Sequence, residues 1–71
     1  MKHEPYRICI SSPPDREHLV AEIFIDDIQW AEVNKEDGTL RAEFYPRPDG
    51  ESWRLDHAVA IEALAMAGKR L

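Results

Sequence analysis

Between Leu19 and Tyr45 the chain reads LVAEIFIDDIQWAEVNKEDGTLRAEFY, three apolar runs separated by Asp26-Asp27 and by Lys35-Glu36-Asp37-Gly38. Short β-prone runs broken by turn residues predict an antiparallel meander, with strands over 19–25, 28–34 and 39–45. A helix is the rival for the first run, because Leu19, Val20, Ile23 and Phe24 also sit at helical spacing behind Pro13-Pro14. Ile25 extends the run past the point where a helical stripe turns polar, and Gln29 to Val33 resumes strand-like alternation, which favours the strand. Upstream, Tyr6, Ile8 and Ile10 alternate with Arg7, Cys9 and Ser11, so a further strand is predicted over 6–11, its place in the sheet left open. Ser12-Pro13-Pro14-Asp15 ends it, since proline lacks the amide a ladder needs.

With Asp26-Asp27 at a hairpin tip, Ile25 faces Ile28, Ile23 faces Trp30 and Glu22 faces Ala31. For the second hairpin, a four-residue loop sets Glu32 opposite Arg41, Val33 opposite Leu40 and Ala31 opposite Ala42. Opposite charges and apolar pairs across a ladder are worth roughly 0.2–1 kcal/mol each, which favours that register over a three-residue loop. One face then carries Val20, Phe24, Ala31, Val33, Leu40, Ala42 and Phe44. The other carries Leu19, Ala21, Ile23, Ile25, Ile28, Trp30 and Tyr45, with Glu32, Arg41 and Glu43 at one end.

Pro46-Arg47-Pro48-Asp49-Gly50 is a turn by composition, and Ser52 to Leu55 is a candidate for a short edge strand. Asp56 is a suitable N-cap for a helix over 57–70, whose apolar stripe is Ile61, Leu64, Gly68 and Leu71. The fold class expected is therefore α+β: a meander of three to five strands with one C-terminal helix on one face, a single domain over residues 1–71. Ala31 and Ala42 admit a helix closely, which assigns the helix to the alanine-centred face. Ile23, Ile25, Ile28, Trp30 and Tyr45 then lack a cover, and an open apolar patch of that kind marks a protein interface. Trp53 and Phe44 are expected in the core.

Cys9 is the sole cysteine of 71 residues, so no intramolecular disulfide forms, and a lone thiol fits a reducing cytoplasm. No stretch approaches the roughly 18 apolar residues of a membrane span, and Glu4-Pro5 follows Met1-Lys2-His3 where a signal peptide would turn apolar. A soluble, unprocessed chain is expected. Nine basic against fourteen acidic residues, a net charge of -5, argue against a phosphate backbone as partner and favour a basic protein surface.

Catalytic chemistry finds little footing. Cys9 has no histidine placed beside it by spacing, and His3, His18 and His57 form no ligand pair, so packing and surface roles are expected. Asp26 and Asp27 at a hairpin tip are solvated, without the burial that separates the pKa values of paired catalytic carboxyls. Asn34 to Gly38 lacks the alternating oxygen ligands of a calcium loop, and Gly38 and Gly50 are too isolated to cradle a phosphate. No cofactor or metal is expected.

The segments LVAEI, QWAEV, EFYPRPDG with a tryptophan after it, and AIEALAMAGKRL together resemble small bacterial domains built as a β-meander with a C-terminal helix, including immunity-type inhibitors. The resemblance implies a stoichiometric binder and brings no catalytic residues. The function expected is a non-enzymatic interaction domain that self-associates or binds a protein through the sheet face opposite the helix, at Ile23, Ile25, Ile28, Trp30 and Tyr45. Rival readings are an immunity-type inhibitor and a small-ligand binder or minimal enzyme using His57 and Cys9 in a groove between helix and sheet.

Overall fold

The computed structural model describes residues 5–71. Four strands, β1 (Arg7–Ser11), β2 (Val20–Ile25), β3 (Ile28–Asn34) and β4 (Arg41–Phe44), precede one helix, α1 (His57–Lys69). The strands form a single antiparallel sheet in chain order, β1-β2-β3-β4. The α+β meander read from the sequence is thus the fold, and β1 lies beside β2.

Asp26 and Asp27 take φ of 51° and 64°, the paired left-handed conformation that a two-residue hairpin needs to match strand twist, and Ile25 faces Ile28 as predicted. Aspartate tolerates this backbone at a cost that glycine does not bear. Asp27→Gly is therefore expected to stabilise the protein by on the order of 0.5 kcal/mol, read as a higher urea midpoint at unchanged slope. The ion pair lost with it, Arg7 to Asp27 at 3.6 Å, is solvent-exposed and contributes little.

Beyond the tip the two-face picture fails, and a β-bulge is the reason. Phe24 pairs with Gln29 but Ile23 pairs with Ala31, so Trp30 is an extra residue in β3 with no partner across the ladder. Side chains alternate along a strand, so one added residue changes which side everything after it faces. Ala31 and Val33 now share a face with Ala21, Ile23 and Ile25 instead of opposing them. Most of the apolar side chains assigned to two faces collect on one, Val20 and Phe24 staying beside Glu22 on the other, and one helix suffices.

That helix packs on β2 and β3 through Ala63 and Ala67, both fully buried, with Ala21, Ile23, Ile25, Trp30, Ala31 and Val33 beneath them. Alanine on both sides permits the close approach anticipated. A side chain at Gly68 would come within 3.1 Å of Leu40 Cδ2, so this helical glycine belongs to the same tight seam. Arg70 Nη1 donates to the Ile8 carbonyl at 3.3 Å and ties the helix end to β1. Asp56 sits at the N-cap position without a side-chain capping bond. No helix among the described residues is long and apolar enough to cross a membrane.

The second hairpin is also offset from its expected register. Val33 faces Ala42, Ala31 faces Phe44 and Glu32 faces Glu43, so residues 35–40 form the connection, with Gly38 at φ 84° closing a turn onto the Lys35 carbonyl. Arg41, expected opposite Glu32, instead donates from Nε to Asp37 Oδ2 at 2.6 Å within the loop. Ser52 to Leu55 forms no strand. Trp53 turns inward there, its Nε1 donating to the Tyr45 carbonyl at 2.7 Å and its ring covered by the Arg47 guanidinium at 4.9 Å.

Candidate functional site

The docking residues proposed from sequence do not form an open surface. Ile23, Ile25 and Trp30 are buried beneath α1, because the bulge puts the isoleucine and tryptophan side chains on the helix side. Ile28 is half-buried beside the hairpin tip. Tyr45 is half-buried and engaged three times: its amide donates to the Trp30 carbonyl, its carbonyl accepts from Trp53, and its hydroxyl donates to Glu32 Oε1 at 2.9 Å.

The face turned away from the helix is polar. Glu22, Glu32 and Glu43 lie in one row across β2, β3 and β4, an arrangement of like charges that directly opposed strands disfavour. The segment between β1 and β2 relieves it. Pro13 accepts the Arg16 amide in a tight turn, and the Arg16 guanidinium reaches over the row to Glu32 Oε2 at 2.8 Å and Glu43 Oε2 at 3.4 Å. Asn34 Nδ2 donates to the same two carboxylates at 2.9 and 2.6 Å. Glu32, almost fully buried, thus has both oxygens engaged, and among the described residues no buried side-chain nitrogen or oxygen lacks a partner. A saturated network of this kind holds a loop against a sheet.

Burial, and then the hydrogen bond to the Glu32 carboxylate, push the Tyr45 hydroxyl from its ordinary 10.0 up to about 12. Only the protonated phenol can donate to Glu32. A pKa raised on folding means that the contribution is complete below pH 10.0 and is lost as the pH climbs through about 12. Tyr45→Phe is expected to remove this alkaline limb from the stability profile, as measured by urea midpoints from neutrality upward.

Cys9 is half-buried on this polar face, opposite Glu22, with Arg7 Nη1 donating to its sulfur at 2.9 Å. Arg7 also covers the Phe24 ring at 4.4 Å. His18 and His57 are exposed and far apart in the fold, in the β1–β2 loop and at the start of α1, and His3 lies outside the described residues. Among the described residues no group of three or more histidine, cysteine, aspartate or glutamate side chains could hold a metal ion. An open depression of about 490 Å³ is bordered by His18, Leu19, Lys35, Gly38 and Leu71. It does not bring Cys9 to His57.

What remains is apolar and exposed. Leu40, Phe44 and Ile61 are 49%, 57% and 54% exposed, values that no core position tolerates. Phe44, expected in the core, meets only the edge of it, its ring 5.4 Å from that of Trp30. Gly68 abuts Leu40, the residue just before β4, and Ile61 lies two turns earlier on the same helix stripe. The sequence pattern places Leu40 and Phe44 beneath the helix, whereas the structure leaves both half exposed. A comparison with protein-family models, curated proteins and solved structures returned no match.

Proposed function

We propose that the protein is a non-enzymatic interaction domain, and that its docking surface is the rim where β4 meets the adjoining flank of α1. The observation that supports this is the exposure of three large apolar side chains, Phe44 on the outer strand β4, Leu40 just before it and Ile61 on α1, each about half exposed. A continuous apolar strip on a small domain marks a contact surface. The polar face loses its case as the docking surface, because Arg16 and its partners already occupy it. A cytoplasmic setting, in which Cys9 stays reduced, accords with the reading.

A photo-crosslinking amino acid at position 44, introduced in cells producing the protein, tests this. Discrete adducts are expected from position 44 and none from position 65, an exposed site on the far side of α1. An adduct at twice the chain mass identifies a second copy, and one with a different protein identifies a separate partner, as an immunity-type role requires. Absence of adducts from position 44, or the same adducts from position 65, overturns the proposal.

A further inference from the structure

We infer that the protein forms a two-fold symmetric dimer in which β4 pairs antiparallel with β4 of a second copy, Ala42 lying opposite its own counterpart on the axis. This rests on the interaction-domain reading and names its partner.

β4 is one of the two outer strands of the sheet, and all of its residues are exposed, whereas those of the other, β1, are half-buried after Arg7. The Tyr45 amide bonds to the Trp30 carbonyl. Backbone groups alternate direction along an antiparallel strand, so Tyr45, Glu43 and Arg41 direct theirs toward β3 while Leu40, Ala42 and Phe44 direct theirs outward. No backbone group among the described residues meets that outer edge. An unpaired edge is a template for another strand.

The chemistry of β4 selects a copy of itself. A two-fold axis perpendicular to the sheet preserves its faces, so the axis passes either between two Ala42 residues or between two Glu43 residues. The second choice sets Glu43 against Glu43, Arg41 against Tyr45 and Leu40 against Pro46. The first sets Leu40 against Phe44 of the second copy on the helix side and Arg41 against Glu43 of the second copy on the far side, and symmetry repeats both pairs. Like charges directly opposed are unfavourable while opposite charges and apolar pairs stabilise, so the Ala42 axis is preferred.

Backbone geometry agrees with that choice. Leu40, Ala42 and Phe44 become hydrogen-bonded pairs, supplying roughly six interchain bonds. Arg41 and Glu43 fall at the intervening positions, where side chains approach most closely. Arg41 already holds Asp37, and Glu43 already holds Arg16 and Asn34, but a guanidinium has five donors and a carboxylate about four acceptor sites. The new pairs therefore extend the existing networks without displacing them. Leu40 and Phe44, half exposed in one chain, cover each other across the junction.

Sedimentation of the full chain at micromolar concentration is expected to show a dimer. Ala42→Pro removes an outward amide that β3 does not use, so it is expected to weaken association about 30-fold with an unchanged circular dichroism spectrum. Arg41→Glu and Glu43→Arg alone place like charges opposite each other and are each expected to weaken association by about tenfold or more. Mixed in equal amounts, the two variants regain complementary pairs and the dimer returns. Should Glu43→Arg fail to fold, because it also leaves Arg16 and Asn34, the Ala42→Pro result still decides. A wild-type monomer, or a dimer indifferent to Ala42→Pro, overturns the inference. In that event adducts from position 44 with another protein leave the interaction-domain reading standing, and their absence removes both.

Discussion

Replacing Trp30 with alanine is expected to cost about 3–5 kcal/mol, measured by urea unfolding. Trp30 is the extra residue of the bulge, buried beneath α1 and stacked at a tilt of 57° on Phe44. Its removal leaves a cavity that the small neighbours Ala31 and Ala63 cannot fill, and Ala21 and Ala67 are no larger. A chain of 71 residues has a total stability of roughly 4–11 kcal/mol, so the loss is a large share of the whole. A loss below about 1 kcal/mol would place the indole on the surface and contradict the arrangement of sheet and helix.

Glu32→Ala is expected to be the next most damaging change, at about 3 kcal/mol. Truncation withdraws the acceptor from the Arg16 guanidinium, the Asn34 amide and the Tyr45 hydroxyl at once, and hydrogen bonds to charged groups contribute about 1.5–3 kcal/mol each. Relief of the repulsion between Glu32 and Glu43 offsets part of the loss. Arg16→Met is expected to destabilise as well, since it leaves two facing carboxylates with only Asn34 between them. The double replacement of Arg16 by Met and Glu32 by Leu is expected to cost less than the two separate changes together, because a buried pair exchanged for apolar side chains leaves no orphaned charge. Strict additivity in urea unfolding would show that Arg16 and Glu32 do not act as a pair.

The strands and the helix were readable because their signals are local. Alternation marks β1, the Asp26-Asp27 pair marks the first hairpin, and Gly38 marks the second loop. The bulge left no such mark. Bulges often carry a glycine, whereas here the inserted residue is a tryptophan, at home in any strand. The second register was misjudged for a different reason. Pairing Glu32 with Arg41 is worth at most about 1 kcal/mol. The observed alternative places two glutamates face to face and becomes favourable only through Arg16, which is sixteen positions before Glu32 and unrelated to it by any strand or helix period. The two errors differ in consequence: the bulge brings Ile23, Ile25 and Trp30 beneath the helix, whereas the two-residue offset of the second hairpin leaves each β4 side chain on its face and changes only its partner.

Glu36 joins two loops that the chain order keeps apart. Its carboxylate accepts the amides of Glu17 and His18, each at 3.2 Å, while its own amide donates to Asn34 Oδ1 at 3.3 Å. Neither loop can therefore open alone without leaving the other short of its partners, and the end of the molecule that carries Arg16, Glu32 and Asn34 is expected to open as one cooperative unit in hydrogen exchange. For a domain with so small a core, this shared carboxylate is expected to keep the β1–β2 and β3–β4 connections from becoming independent points of entry for a protease.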